Sequence, residues 1–232
     1  MTLLCFGEML LRLTPDPGQV LLQSPGLTVR PGGAEANVAV SLARFGAPAA
    51  IATVLPDNAL GHAARDEARK HGVDTSRIRF ASGRMGLYFL TPGAVRRPSE
   101  VLYGRAGSAL VRHVEEAFDW SAMLDGVEWL HLSGVTPATG PSGSAAALKA
   151  VRAASAAGTK VSFDGNFRGK MWSEWDSDPP AILGQLLAGA ELAFADDRDI
   201  ALVLGRTFDH ADPAERRRAA AVVAFETWPR LQ

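Results

Sequence analysis

Cysteine is nearly absent: Cys5 is the only thiol in 232 residues. One thiol can form neither an internal disulfide nor a Cys-rich zinc cage, so a reducing compartment is expected. Neither sign of charge dominates, with 24 Lys and Arg against 25 Asp and Glu and a pI near 6.5. That balance excludes a broad basic face for wrapping nucleic acid or docking on anionic lipid. There is no run of about 18 apolar residues, so no membrane span is expected. The apolar start, Met1 to Phe6, has no basic residue before it and is interrupted by Glu8 and Arg12, which makes a poor signal peptide. The chain therefore reads as cytoplasmic. The five histidines, at 62, 71, 113, 131 and 210, show no metal spacing, and His131 inside an apolar strand reads as structural. What is present is 47% apolar and 21% charged residues, the mix of one ample domain with a real core.

Apolar runs and helical stretches alternate along the chain. Leu3–Gly7, Ala49–Leu55, Ile78–Phe80, Trp129–Leu132, Lys160–Phe163 and Leu192–Ala195 read as strands. Ala34–Phe45, Leu60–His71, Ser142–Ala157, Ala181–Leu187, Asp197–Leu204 and Pro213–Phe225 read as helices, with Ser142 as a cap. Between them, Leu10–Thr14, Val20–Leu22, Gly86–Thr91 and Glu100–Tyr103 are short β-like runs suited to a small separate sheet. The alternation predicts an α/β fold with a mostly parallel central sheet covered on both faces. In such sheets ligands sit beyond the C-terminal strand ends. The residues to inspect are thus Gly7-Glu8, Ser133-Gly134, Asp164-Gly-Asn166 and Asp196.

Three groups carry chemistry. In Gly32-Gly33-Ala-Glu-Ala-Asn37 a glycine pair permits close backbone approach, and Asn37, one turn into the helix, can bond a sugar hydroxyl. An ordinary glycine turn before an Ala-rich helix accounts for the same residues, and no Gly-Lys-Ser/Thr follows to make a P-loop. Asp164-Gly-Asn166-Phe-Arg168 follows a strand, and Arg168 can grip a carboxylate or phosphate with two prongs; a plain turn is the competing reading. Tyr88, Tyr103 and Arg105 fall on the small sheet, where Tyr103 and Arg105 share a side and suit an acidic sugar, though a solvated edge sheet fits as well. Asp196-Asp-Arg-Asp199 suits a site near magnesium or a charged helix start.

Together these segments resemble the ribokinase-like (PfkB) family of carbohydrate kinases, most nearly its 2-keto-3-deoxygluconate kinases. The carrying residues are Gly32-Gly33-Ala-Glu-Ala-Asn37-Val-Ala39 with Gly46, then Leu130-His-Leu-Ser133-Gly134-Val-Thr-Pro137, Asp164-Gly-Asn166-Phe-Arg168 and Tyr103-Gly-Arg105. The resemblance runs from residue 3 to about 205. It implies a three-layer sandwich over residues 1–232 with a small β-sheet lid formed by about residues 10–30 and 86–105. It implies ATP with Mg²⁺ as phosphoryl donor, a possible homodimer through the lid, and no nucleic-acid or membrane partner. Gly33 and Asn37 would hold the sugar, Tyr88 and Tyr103 close over it, and Arg105 and Arg168 hold its carboxylate. Asp196 would serve the nucleotide and Asp199 the metal, at positions where the family has an Asn/Ser-x-x-Glu pair. The signature's later Gly is Pro56 here.

The family's second signature, Asp-Thr-x-Gly-Ala-Gly-Asp, does not occur in these 232 residues. Its helix start stabilises the moving phosphoryl group and its last Asp takes the hydroxyl proton. The expectation is a sugar-binding portion, C-terminally incomplete, with no catalytic base before Gln232. Competing readings are a fructokinase, a 5-keto-2-deoxygluconate kinase, and a non-catalytic sugar-acid binding protein.

Overall fold

A computed structural model describes residues 2–232. The strands are β1 (Thr2–Phe6), β2 (Leu10–Thr14), β3 (Thr28–Gly32), β4 (Ala49–Pro56), β5 (Ile78–Ala81), β6 (Gly86–Thr91), β7 (Glu100–Gly104), β8 (Val127–Ser133), β9 (Lys160–Asp164) and β10 (Leu192–Phe194). The helices are α1 (Ala34–Arg44), α2 (Ala59–Lys70), α3 (Ala109–His113), α4 (Trp120–Met123), α5 (Pro141–Ala157), α6 (Gly169–Trp172), α7 (Pro179–Ala188), α8 (Asp197–Leu204) and α9 (Pro213–Thr227). Six strands form one sheet in the order β10-β9-β8-β1-β4-β5, every neighbour parallel. A second sheet, β3-β2-β6-β7, is antiparallel except between β2 and β6.

Strand alternation divides the core in two. Leu4, Phe6, Ala50, Ala52, Leu130, Leu132, Val161 and Phe163 point to one face and pack with residues of α3, α4, α5 and α7. Cys5, Ala49, Ile51 and Leu55 point to the other and pack with Ala36 and Ala39 of α1 and Ala64 and Ala68 of α2. On this second face the strip over β8, β9 and β10 forms an open groove of about 430 Å³, lined by Val38, Leu42, Trp129, His131, Leu192 and Phe194. Leu192 is 39% and Phe194 56% exposed. His131 bonds Ser162 through Nδ1 at 3.1 Å, and burial pushes its pKa down to about 4.

Two local expectations are corrected. Val20–Leu22 is a turn, not a strand: Leu22 has φ 68° and lies in solvent, and the fourth strand of the small sheet is Thr28–Gly32. That strand holds Pro31, which an edge strand tolerates because its missing N–H faces outward. Ser142 does not cap α5; the helix starts one residue earlier at Pro141, with Gly140 at the cap position. Proline at the first helical position loses nothing, since its N–H would have no intrahelical partner there.

Candidate functional site

Parallel strands place their C-terminal tips in a row. Along that rim stand Glu8 after β1, Ser133 at the end of β8, Asp164 at the end of β9 and Asp196 after β10. The small sheet rises beside the β1 end of the row, because β2 starts only four residues after β1 ends.

At the β1 end the glycine turn, the helix start and the small sheet meet. Gly33 has φ 148°, a conformation open to glycine, and a Cβ there would overlap the carbonyl oxygen of Glu8. A Cβ on Gly32 would stand 3.9 Å from Asn37 Oδ1 and 4.0 Å from the Tyr88 hydroxyl, so these two polar groups flank one spot. Tyr88 and Tyr103 are direct cross-strand partners with ring centroids 6.5 Å apart. The Arg105 guanidinium lies 5.3 Å over the Tyr103 ring, and its Nη1 is 3.3 Å from Glu8 Oε2. Its Nε and Nη1 are buried and find no hydrogen-bond acceptor. Glu8 Oε1 accepts a 2.7 Å bond from Ser108 Oγ, and burial raises the Glu8 pKa against the pull of Arg105.

Glu35, inside the glycine motif, points inward instead of to solvent. Its Oε1 accepts from the Ser133 backbone N–H at 3.0 Å, Ser133 Oγ at 2.6 Å and Thr136 Oγ1 at 3.3 Å. Burial raises its pKa, with those bonds and Arg105 opposing. A Cβ on Gly7 would overlap its carboxylate, so Gly7 is glycine to make room. Glu35 thereby locks the start of α1 to the tip of β8. Sequence reasoning passed over Glu35 and assigned Glu8 no role, although both lie within segments it singled out.

The β9 and β10 tips open on a cleft of about 910 Å³ lined by Asp164, Asn166, Arg168, Asp196, Arg198 and Asp199, among others. Asn166 holds the left-handed backbone, φ 38°, uncommon for a residue with a side chain and enriched at sites. Arg168 is exposed and makes no ion pair among the described residues. Asp196 and Asp199 form a reciprocal capping box on α8, and Asp196 also bonds Arg198, which lowers its pKa. Burial raises the Asp164 pKa and Asp199 adds to it; burial also raises that of Asp199. No three potential metal ligands converge among the described residues.

The structure thus brings Gly33, Asn37, Tyr88, Tyr103 and Arg105 together, and separately Arg168, Asp196 and Asp199. The cleft that contains Arg168 is lined by neither Arg105 nor Asn37.

The sequence model described as pfkB family carbohydrate kinase matches residues 2–225. The chain belongs to this family. Phosphoryl transfer to a sugar hydroxyl is the chemistry of pfkB kinases. The chain is 34% identical to the 2-dehydro-3-deoxygalactonokinase of Haloferax volcanii over 97% of its own length and 69% of that protein's. The solved 2-dehydro-3-deoxygluconokinase of Thermotoga maritima is 37% identical, with TM-score 0.91 over 98% of this chain and 69% of that one. The fructokinase of Xylella fastidiosa, solved with bound ATP, is 25% identical with TM-score 0.82 over 100% of this chain and 70% of that one. Arabidopsis thaliana proteins named probable fructokinase-3, -2 and -7 match as well, and of those the chain spans about half the length. A pfkB kinase with this architecture has the expected three-layer α/β fold. No helix among the described residues is long and apolar enough to cross a membrane.

Proposed function

We propose that the substrate is an acidic sugar, 2-keto-3-deoxygluconate before its relatives, phosphorylated from ATP. The observation that carries this reading is Arg105: a guanidinium clamped between the Tyr103 ring and Glu8, with a buried Nε that lacks an acceptor. A buried unpaired donor is costly, and a substrate carboxylate would relieve it. Gly33 and Asn37 supply the floor for the hydroxyls, and Tyr88 and Tyr103 the apolar wall. Arg168 stands in the neighbouring cleft at the β9 tip, two strand spacings or roughly 10 Å from the β1 tip, and would meet the sugar's carboxylate from that side. The cleft at β9 and β10 suits the phosphate end of the nucleotide. Asp164 and Asp199 sit there with carboxyls raised by burial, and a divalent cation would relieve their repulsion. Magnesium is commonly held by one or two carboxylates together with phosphate oxygens, so these residues fit it. When bound, it would neutralise charge on the transferring phosphoryl group.

The outward face of the small sheet gathers Leu13, Val29, Phe89 and Leu102 by register, with Val29 and Leu102 exposed. That apolar face supports pairing of two copies through the lid. Calorimetric titration of 2-keto-3-deoxygluconate and of fructose tests the reading: binding of the acid, lost on Arg105→Ala while fructose is unaffected, is expected. Equal or tighter binding of fructose by the unaltered chain overturns it in favour of the fructokinase reading. A protein consisting of these 232 residues, which hold no Gly-Ala-Gly-Asp sequence, is expected to bind sugar yet consume ATP very slowly; robust turnover in a coupled assay would show that the base lies within them.

A further inference from the structure

Glu8 touches the glycine turn, β6 and the turn after β7, the segments around the β1 tip that build the sugar pocket. Its backbone oxygen abuts Gly33 so closely that no Cβ fits there. Its side chain lies over Gly86, the first residue of β6, where a Cβ would overlap Oε1. Oε1 accepts from Ser108 Oγ, just beyond β7, and Oε2 faces Arg105 Nη1. The residue is 3% exposed. From the end of β1 in the large sheet, Glu8 thus meets three segments that adjoin the small sheet: the glycine turn through its backbone oxygen, and the start of β6 and the Arg105–Ser108 turn through its carboxylate. Tyr88 and Tyr103 stand on the strands it fastens, and Arg105 directly follows the second. Arginine is long and flexible, and a guanidinium held only by stacking on one ring would swing to solvent. A buried charge pair fixed by additional hydrogen bonds is the arrangement best suited to hold a register.

We infer that Glu8 is a positioning residue for acid recognition: it engages Arg105 Nη1 and holds the guanidinium over Tyr103 so that the remaining donors meet the sugar carboxylate. The inference rests on the sugar-acid reading above. It assigns selectivity to a residue that touches the sugar only through another side chain. Glu8→Gln keeps the shape and the acceptor for Ser108 and removes the charge that faces Arg105. The expected result is a fall of about tenfold in the ratio of affinities for 2-keto-3-deoxygluconate over fructose, measured by calorimetry on the full chain. A merely structural role would weaken both sugars alike and leave the ratio in place. Glu8→Asp, which keeps the charge but withdraws it from Arg105 and Ser108, is expected to lower the same ratio and stands in should Glu8→Gln not fold. In an Arg105→Gln background, Glu8→Gln is expected to change the ratio no further. An unaltered ratio, or a raised one, in the folded Glu8 variant overturns the inference. A wild-type chain with no preference for the acid overturns the sugar-acid reading and this inference with it.

Discussion

At the β1 tip two carboxylates, Glu8 and Glu35, are buried and answered by Arg105, Ser108, Ser133 and Thr136. At the β9 and β10 tips Asp164, Asp199 and Arg168 line an open cleft, and Arg168 makes no ion pair among the described residues. The first region is built largely from within: its carboxylates are met by hydroxyls and a guanidinium, glycines admit the close approaches, and Arg105 Nε is left as the donor without an acceptor. The second keeps its charges turned toward whatever enters. A pocket that must recognise shape gains from being built before its ligand arrives. A cleft that takes phosphate and metal, as proposed for the second region, can leave its charges to be completed by them.

The comparison can be broken or sharpened by substitution. Gly33→Ala strikes the first region hardest, since it forces φ 148° on a residue with a side chain and drives its Cβ into Glu8; a loss of about 4 kcal/mol in urea unfolding is expected. Glu35→Ala should follow with about 3 kcal/mol, because Ser133 and Thr136 are left buried without their acceptor. Should either variant unfold like the wild type, the region is not braced as described. Arg168→Ala belongs to the other class: the melting temperature should hardly move, while affinity for the acidic sugar falls about tenfold. A large stability loss there would erase the contrast.

The smallest expected effect concerns pH. The folded-state pKa of Asp164 is raised, so the folded protein binds its proton more tightly than the unfolded chain does. Stability contributed by this group therefore falls as pH rises from the ordinary carboxylate range through the folded value, and it is absent at neutral pH. Asp164→Asn should raise the neutral-pH melting temperature slightly and flatten its dependence between mildly acidic and neutral pH. A steeper dependence in the variant would assign the slope to other groups, Glu8, Glu35 and Asp199 first, since theirs are raised too.

The parallel sheet was legible because short continuous apolar runs and glycine stops mark strands buried on both faces. The rim was legible because Asp164, Asn166 and Arg168 directly follow such a strand. The edge of the small sheet was not: Thr28–Gly32 is polar, contains Pro31 and lies against solvent, so it carries no burial pattern, whereas Val-Leu-Leu at 20–22 imitates one. Acidic residues ordinarily stay outside, and nothing in the spacing of Glu8 and Glu35 announces that glycines 7, 33 and 86 have cleared space for them. The separation of Arg105 from Arg168 was likewise invisible, because it depends on which strands neighbour one another in the sheet.

β10 is the last strand of the six-stranded sheet among the described residues, with Leu192 and Phe194 exposed beside the groove. A sheet edge flanked by apolar side chains is a template on which another strand can add. Concentrated stocks of a protein consisting of these 232 residues are therefore expected to scatter light while the individual molecules are still folded; a clear stock would show that edge to be covered.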